Sequence, residues 1–582
     1  MNISTTALFY RLVAALLFLA AQHHSLAGSA TWSQNPMSTD WNTAENWMPT
    51  TVPNSPSDTA TFGASDVTTL SINTTAVEVS TIVFNRGAAP FTITVDSGNG
   101  IVNLFITGNG IVNNSGVVQS VVGGGQAGVF LSNGATAGNL TLFGGDAGQF
   151  FFMDSASAGS ATFVVTSDGV FQGNLLFFDN STAAEATIAT SDFAITTFDG
   201  NATAANGTFT TTTGGGVDFG TNSTAANGVF TFSDGGRTVF TQFATAAQGN
   251  FTAEGASASI DLGGYIDFAG STTADQGHFV INGGRAQGAR GAVMTFFEDA
   301  TAGSAKIKAN GGTSGGEGGS IRFSAQSDGG LARFSLTGNG NLDIGNHGTG
   351  LTTIGSIQGD GLVFLGARAL AVGSNNRSTT FSGVIQDGGI SQGTGGSLTK
   401  IGTGIWQLSG ANTYSGGTTV SEGTLTIGNT TGSGTGSGPV QVNSGTLTGP
   451  GIIAGAVTIG SGSGTGAVLA PRRGEAQPTA LTMQASLTYK ADATYLCRLS
   501  TQQAKSDEVI ANGVAIESGA QFTLQVAGRK RLPAGTTFTL ISNTSANPIA
   551  GAFANLPTAP LCARAQTRSR QAIPAAMAMT LS

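Results

Sequence analysis

Charged side chains, cysteine, proline and histidine are all scarce in this chain, and each scarcity excludes something. Charged residues make up 9% of the 582 positions and the net charge is -9, so the Lys/Arg surplus that a nucleic-acid partner requires is missing. Only His278 and His347 lie beyond the first 27 residues, and neither stands in a motif for a catalytic triad or a zinc site. We therefore predict no catalytic residue, no metal site and no cofactor.

Long apolar runs are also missing after the N-terminus. Residues 1–27 read as a signal peptide, with Arg11, a short apolar run over 12–21 and a small residue, Ala27, at the expected cleavage position. No later run reaches the roughly 18 apolar residues that a membrane helix needs. We expect an exported chain without a transmembrane segment once mature. The two cysteines, Cys497 and Cys562, could pair in an exported chain, but we do not predict a disulfide.

Glycine and phenylalanine are abundant, with 89 and 35 residues. A glycine-rich chain of low charge is compatible with disorder, but here the large apolar residues recur at fixed intervals, which disorder does not require. A pattern Phe-x-x-x-x-Thr-Ala recurs mostly every 21 residues, in two phases about 11 residues apart. The first phase comprises Leu131, Phe152, Phe177, Phe198, Phe219, Phe240, Phe268, Phe296 and Phe323. The second phase comprises Leu142, Phe163, Ile188, Phe209, Phe230, Phe251, Phe279, Ile307 and Phe334.

Two columns of apolar residues at one spacing are typical of stacked coils. Short strands joined by turns would close each coil of about 21 residues, and successive coils would lie about 4.8 Å apart. The recurring Thr-Ala pairs, such as Thr224-Ala225, would mark one corner of the coil. Longer spacings predict bulging loops over 283–291 and 311–319. The sequence thus predicts an all-β parallel β-helix over residues 61–480.

Three of the four tryptophans fall within sixteen residues, at Trp32, Trp41 and Trp47. We interpret residues 28–60 as an N-terminal cap whose rings cover the open apolar end of the stack. A carbohydrate-binding platform is the alternative, since indole faces suit sugar rings.

Residues 398–425 read LTKIGTGIWQLSGANTYSGGTTVSEGTL, and this segment resembles the autotransporter-associated β-strand repeat. Each fixed position of the motif L-x-K-x-G-x-G-x-x-x-L-x-G-x-N-T-Y-x-G-G-T-T-V-x-x-G-T-L is matched, and we assign the repeat to 397–428. The resemblance implies a right-handed parallel β-helix in a large bacterial surface or secreted protein, often an autotransporter passenger. It implies no reaction.

Residues 481–557 are similar to the β-strand region that follows such repeats. The last segment, 558–582, departs from that pattern and leaves no room for a C-terminal membrane barrel. Read one nucleotide earlier, residues 576–581 can encode Asp-Gly-Asn-Asp-Leu, with which related chains end. We interpret this tail as the product of a frameshift; a real divergent tail is the alternative, and resequencing the 3′ end would distinguish the two.

One outward position beside the second column reads Asn250, His278, Lys306 and Arg333. Stacked basic side chains repel one another, so an acidic glycan would be a favourable partner. A plain solvated face is the alternative. We predict a secreted or cell-surface structural or adhesion-type protein without catalysis. The competing hypothesis is a β-helical polysaccharide lyase or hydrolase, which clustered carboxylates on one face would favour.

Overall fold

The computed structural model describes residues 28–556, apart from 97, 99–100, 126, 141, 474–476, 479 and 534, together with 561–562 and 578–581. The predicted signal peptide, 1–27, and most of the tail, 558–582, lie outside the described residues. The described part is built from β-strands, with a single 3-10 helix at Ala44–Asn46. It forms two compact units. The first unit runs up to Lys306 and also includes Gly312–Gly319. The second unit consists of Ile307–Gly311 and the residues from Ser320 onward.

Strands of the first unit lie in two sheets. The first sheet contains Ala30–Trp32, Trp47–Met48, Ser55–Phe62, Val77–Phe84, Asn103–Asn113, Gly128–Leu131, Gln149–Phe152, Asn174–Phe177, Ile195–Phe198, Gly216–Phe219, Arg237–Phe240, Tyr265–Phe268 and Val293–Phe296. The second sheet contains Thr69–Ile72, Thr92–Val95, Ser120–Gly123, Leu142–Asp146, Thr162–Thr166, Thr187–Thr190, Thr208–Thr211, Val229–Phe232, Asn250–Ala253 and His278–Ile281, and the strand Lys306–Ala309 begins in this unit. Pairing along both sheets is parallel, apart from the antiparallel first two strands of the first sheet.

Each coil of the first unit gives one strand to each sheet, and identical positions of successive coils stack. The register pairs Phe198 with Phe219 and Phe209 with Phe230. Rings within a column lie parallel at centroid distances such as 4.6 Å for Phe209 and Phe230, and the columns meet edge to face, with Phe219 and Phe230 5.8 Å apart. The predicted all-β solenoid with two interior apolar columns is confirmed.

One member of the second column was predicted wrongly. The register places Phe143, not Leu142, opposite Phe163. The coil between these two phenylalanines is 20 residues long, one fewer than the common period, so counting by 21 selects the preceding residue.

The Thr-Ala pairs stand where the chain turns from the first sheet to the second. Thr203, Thr224 and Thr245 form parallel bridges with one another, and the alanine after each is buried. The Thr224 hydroxyl accepts a hydrogen bond of 3.1 Å from the amide of Ala226, whose φ of 47° is in the left-handed region. The hydrogen bond from the Ala226 amide to the Thr224 hydroxyl therefore stabilises a left-handed backbone conformation that is unfavourable for alanine.

Replacing Thr224 by valine should lower the free energy of unfolding by about 1 kcal/mol, because the substitution removes this hydrogen bond while keeping the side-chain shape. Thr231→Val is the matched control, since Thr231 lies half-buried in the strand Val229–Phe232, outside the turn. Chemical denaturation of both variants measures the effect. Equal losses in the two variants would contradict a role for the hydroxyl at the turn.

The second unit is also built mainly from parallel strand pairs, with antiparallel pairs such as Ala493–Ser500 with Lys505–Ser506. One group contains Ser320–Phe323, Asn341–Asp343, Leu362–Phe364 and Val384–Gln386. A larger group contains Gly329–Leu336, Leu351–Gly359, Ala369–Val372, Thr379–Phe381, Ser397–Lys400, Ile405–Leu408, Thr418–Val420, Thr424–Ile427, Val440–Val442, Gly445–Thr448, Val457–Ile459, Ala467–Ala470, Leu487–Tyr489, Ala493–Ser500, Lys505–Ser506, Val514–Ile516, Gln521–Ala527 and Ala550–Gly551. A further sheet contains Ile452–Ile453, Ala480–Met483, Glu508–Ala511, Thr537–Asn543, Leu561–Cys562 and Ala578–Leu581, and a two-stranded one contains Arg472–Arg473 and Gln477–Pro478.

The larger group of the second unit forks at one long strand. Leu351–Gly359 pairs through its first half with Ala369–Val372 and through its last residue with Thr379–Phe381. Two series of parallel strands continue from these partners. Among the described residues, no helix combines the length and the hydropathy needed to cross a bilayer.

Candidate functional site

The structure brings together two of the three residues predicted to bind glycans. His278 and Lys306 each begin a strand whose next residue is buried, so both side chains point outward and are exposed. The Lys306 Nζ lies 3.2 Å from the His278 Nε2. Asn250, on the preceding strand of the same sheet, is the register partner of His278.

This contact has a defined electrostatic consequence. The ammonium group of Lys306 can donate to the His278 ring nitrogen only while that nitrogen carries no proton. When the ring is protonated, two cations face each other, and an anion that contacts both would relieve their repulsion. The arrangement suits a carboxylate or sulfate group.

Arg333 lies in the second unit, within the strand Gly329–Leu336. Its side chain is exposed, and its register partner is Ser356. A glycan-binding role for His278, Lys306 and Arg333 stays a prediction.

The predicted loops over 283–291 and 311–319 are present, but they are more regular than the sequence indicated. The amide of Gly284 donates to the carbonyl oxygen of Glu317 at 2.8 Å, so the second loop stacks on the first as the coils do. Exposed Arg285 and Glu317 give the two loops opposite charges. Arg290, also exposed, adds a second positive charge to the first loop. The loops therefore extend the stack.

The tryptophan cluster cannot serve as a carbohydrate platform. Trp32, Trp41 and Trp47 are at most 2% exposed, and each indole nitrogen donates to a backbone carbonyl oxygen. All three rings lie within 6.4 Å of the Phe62 ring, which belongs to the interior. Their faces are used for packing, and the alternative of a sugar-binding surface is wrong.

Residues 398–427 owe their geometry to buried polar side chains that hold successive coils together. Lys400 is 1% exposed, and its Nζ donates to the carbonyl oxygens of Ile401 and Gly402 at 2.7 Å and of Glu422 at 3.2 Å. All three donors of the ammonium group are thus used within the turns. Burial lowers the pKa of Lys400 to about 8, an effect that the nearby Glu422 carboxylate partly offsets.

Asn412 and Tyr414 act in the same way. The Asn412 side chain accepts from the amide of Ile385 at 2.8 Å and donates to the carbonyl oxygen of Gly434 at 2.7 Å, so it links the coil before it to the coil after it. The Tyr414 hydroxyl, fully buried, lies 2.6 Å from the Thr418 hydroxyl. These contacts explain why the motif requires these residue types.

Residues 398–427 match the family described as passenger-associated-transport-repeat. We refer to this segment as the transport repeat. The match confirms the resemblance seen in the sequence, and the transport repeat within a parallel β-solenoid fits a structural or surface protein of the autotransporter passenger type. No curated protein matches the chain.

Outside the transport repeat, the remaining polar candidates have structural contacts. His347 is 4% exposed, and its Nε2 lies 2.8 Å from the carbonyl oxygen of Ser327. The Gly338–Asp343 segment, which faintly resembles a calcium-binding repeat, begins with a turn closed by the bond from the amide of Gly340 to the Thr337 carbonyl oxygen. The described residues hold no group of three or more His, Cys, Asp or Glu side chains placed to bind a metal ion.

Several carboxylates that might have indicated catalysis organise loops instead. Asp387 accepts hydrogen bonds from the amides of Gly396 and Ser415, at 2.9 and 3.1 Å. Asp492 accepts from the amides of Gly462 and Gly464, at 2.7 and 3.0 Å. Although burial acts in the opposite direction, the hydrogen bonds from the backbone hold the pKa of Asp492 below its usual value.

Proposed function

We propose that this chain is an exported structural protein of the adhesion type, which binds extracellular glycans at the cell surface and catalyses no reaction. The observation that carries the proposal is the transport repeat embedded in a parallel solenoid, because both are typical of surface passengers. A stack of coils presents similar surfaces many times, and many weak contacts can add up to firm attachment.

The exposed pair His278 and Lys306 supports an acidic glycan as the partner. Val229 and Asn250 occupy the same outward position as His278 on the two preceding strands of the second sheet. Both are uncharged, so neither neutralises the basic groups of His278 and Lys306. In the part of the chain that the structure describes, Lys306 makes no ion pair. An exposed, unpaired ammonium beside an imidazole is available to a carboxylated or sulfated sugar.

The alternative, a polysaccharide lyase or hydrolase, has weaker support. Such enzymes use converging carboxylates or basic groups on one outer face. Asp387 and Asp492 are instead bonded to backbone amides within loops. Incubating the protein with acidic polysaccharides and assaying new reducing ends would decide between the hypotheses, since a steady release of sugar would overturn the proposal.

Charge reversal at Lys306 tests the predicted partner. Lys306→Glu should weaken binding to acidic glycans about tenfold, because it replaces the attracting charge with a repelling one. Binding would be measured on an array of acidic and neutral glycans. Lys530→Glu, an equal charge change at another exposed position, is the control and should bind like the unaltered protein. Equal binding by the two variants would remove Lys306 from the site.

A further inference from the structure

An open groove lies on the outward side of the second unit, where Arg333 is the predicted functional residue nearby. Its volume is about 540 Å³. The side chains that matter for its chemistry are Ser335, Gln358, Ser378, Thr380, Ile405 and Gln407.

The groove lies on one branch of the fork in the strand Leu351–Gly359, the branch that continues from Gly359 through Thr379–Phe381. Its lining follows the strand register there, since Ser335 pairs with Gln358 and Thr380 pairs with Gln407. Gln358 is exposed along the groove.

The side chains that line the groove carry hydroxyl and amide groups and no charge. Hydroxyl groups come from Ser335, Ser378 and Thr380, and amide groups come from Gln358 and Gln407. Hydroxyls and amides both donate and accept, which is the requirement for binding the hydroxyl groups of a sugar. Ile405, 48% exposed, adds an apolar surface against which the C–H face of a sugar ring can pack.

Part of this lining is fixed in place before any ligand arrives. The Ser378 hydroxyl accepts a hydrogen bond of 3.1 Å from the amide of Ile405, and the Gln407 amide donates to the Ser409 hydroxyl at 3.2 Å. Side chains held in this way lose little freedom on binding, so less of the interaction free energy is spent on ordering them.

Two exposed guanidinium groups flank the groove. Arg333 lies two residues before Ser335 on one strand, and therefore on the same outward face, and Arg377 directly precedes Ser378. Within the described ranges, neither arginine forms an ion pair. The neighbouring carboxylate of Asp360 already accepts a hydrogen bond from the amide of Gly338 at 3.1 Å. The Asp360 carboxylate keeps its negative charge, so the two guanidinium groups and this carboxylate together carry a net positive charge of one.

From these features we infer that the groove binds a short acidic oligosaccharide, whose hydroxyl groups contact the uncharged lining and whose carboxylate or sulfate groups contact Arg333 and Arg377. The inference rests on the proposed glycan-binding function and assigns it a site in the second unit. Arg333 would then bind the same ligand as the groove. The sequence did not indicate this groove. Guanidinium groups suit this role because they bind carboxylate and sulfate oxygens through two parallel hydrogen bonds.

Calorimetric titration of the intact chain with tetragalacturonic acid, a sulfated galactan tetrasaccharide and uncharged galactotetraose tests the inference. Binding of either acidic tetrasaccharide, stronger than that of galactotetraose, is the expected result, and the two acidic probes separate carboxylate from sulfate recognition. Arg333→Gln combined with Arg377→Gln should weaken acidic binding about tenfold and leave galactotetraose binding unchanged. Arg529→Gln combined with Arg531→Gln is the matched control at exposed positions.

A second variant tests the groove without altering charge. Thr380→Trp should fill the groove, abolish binding of galactotetraose and leave the acidic probes only the binding at His278 and Lys306. Thr458→Trp, at an outward position that does not line the groove, should have no effect. Unchanged acidic binding in both groove variants would overturn this site and leave the proposed function standing, with Lys306→Glu still expected to weaken acidic binding about tenfold. Failure of the unaltered protein to bind any of these probes or any glycan on the array would overturn both.

Discussion

Replacing Phe219 by alanine is expected to lower the free energy of unfolding by about 3–5 kcal/mol, the range for removing a fully buried aromatic ring. Phe219 is completely buried. Its ring stacks between those of Phe198 and Phe240, at 5.0 and 4.7 Å, and meets the edge of Phe230 at 5.8 Å. The substitution removes contacts with the coil below, the coil above and the opposite column at once.

Because each coil contacts chiefly its neighbours, the damage should remain local before it spreads. Chemical denaturation measures the loss, and amide hydrogen exchange should show the largest loss of protection over residues 195–240. Phe243→Ala is the matched control, since Phe243 is 65% exposed, and it should change stability by no more than about 0.5 kcal/mol. Similar losses in the two variants would mean that the interior column does not stabilise the solenoid.

The repeated part of the fold could be predicted from the sequence because one coil corresponds to one sequence period. The apolar columns and the Thr-Ala turns recur with that period, so residues such as Phe198 and Thr224 revealed their structural positions directly. Where the period lengthens, before Phe177 and Phe268, the predicted residues are still in register. Where it shortens by one residue the prediction was wrong, because Leu142 and Phe143 are adjacent apolar residues that only the strand register distinguishes.

The candidate sites were less predictable because they depend on contacts between coils. The outward positions of His278 and Lys306 follow from strand alternation, but the fork at Leu351–Gly359 depends on which later strands pair with it. The local sequence does not indicate which later strands pair with Leu351–Gly359. The same limit applies to Asp218, which alternation places on the outward face of the first sheet, where a carboxylate would be expected to be solvated.

Asp218 is in fact 8% exposed, and the cause lies one coil away. The Arg237 side chain lies over Gly216, where a Cβ would stand 3.4 Å from the arginine Cζ, and its Nη2 is 3.6 Å from the Asp218 Oδ2. Among the described residues, the Asp218 Oδ1 has no hydrogen-bond partner. Burial raises the pKa of Asp218 to about 6, although the Arg237 charge acts in the opposite direction.

Asp218→Asn is therefore expected to raise the free energy of unfolding at pH 7 by up to about 3 kcal/mol. An unfolded aspartate ionises near pH 3.9, whereas the folded one keeps its proton until about pH 6. Between these values the folded state binds more protons, so stability falls as the pH rises. The contribution of protonated Asp218 is complete below about pH 4 and lost above about pH 6, while asparagine does not titrate.

Denaturation of the unaltered protein and of Asp218→Asn at pH 4 and pH 7 measures this difference. The gain from the substitution should be large at pH 7 and nearly absent at pH 4, because at pH 4 the aspartate is already neutral in the folded state. Asp234→Asn, at an exposed turn position, is the control and should behave alike at both pH values. A loss of stability at pH 7 would show instead that the ion pair with Arg237 outweighs the cost of burying the carboxylate.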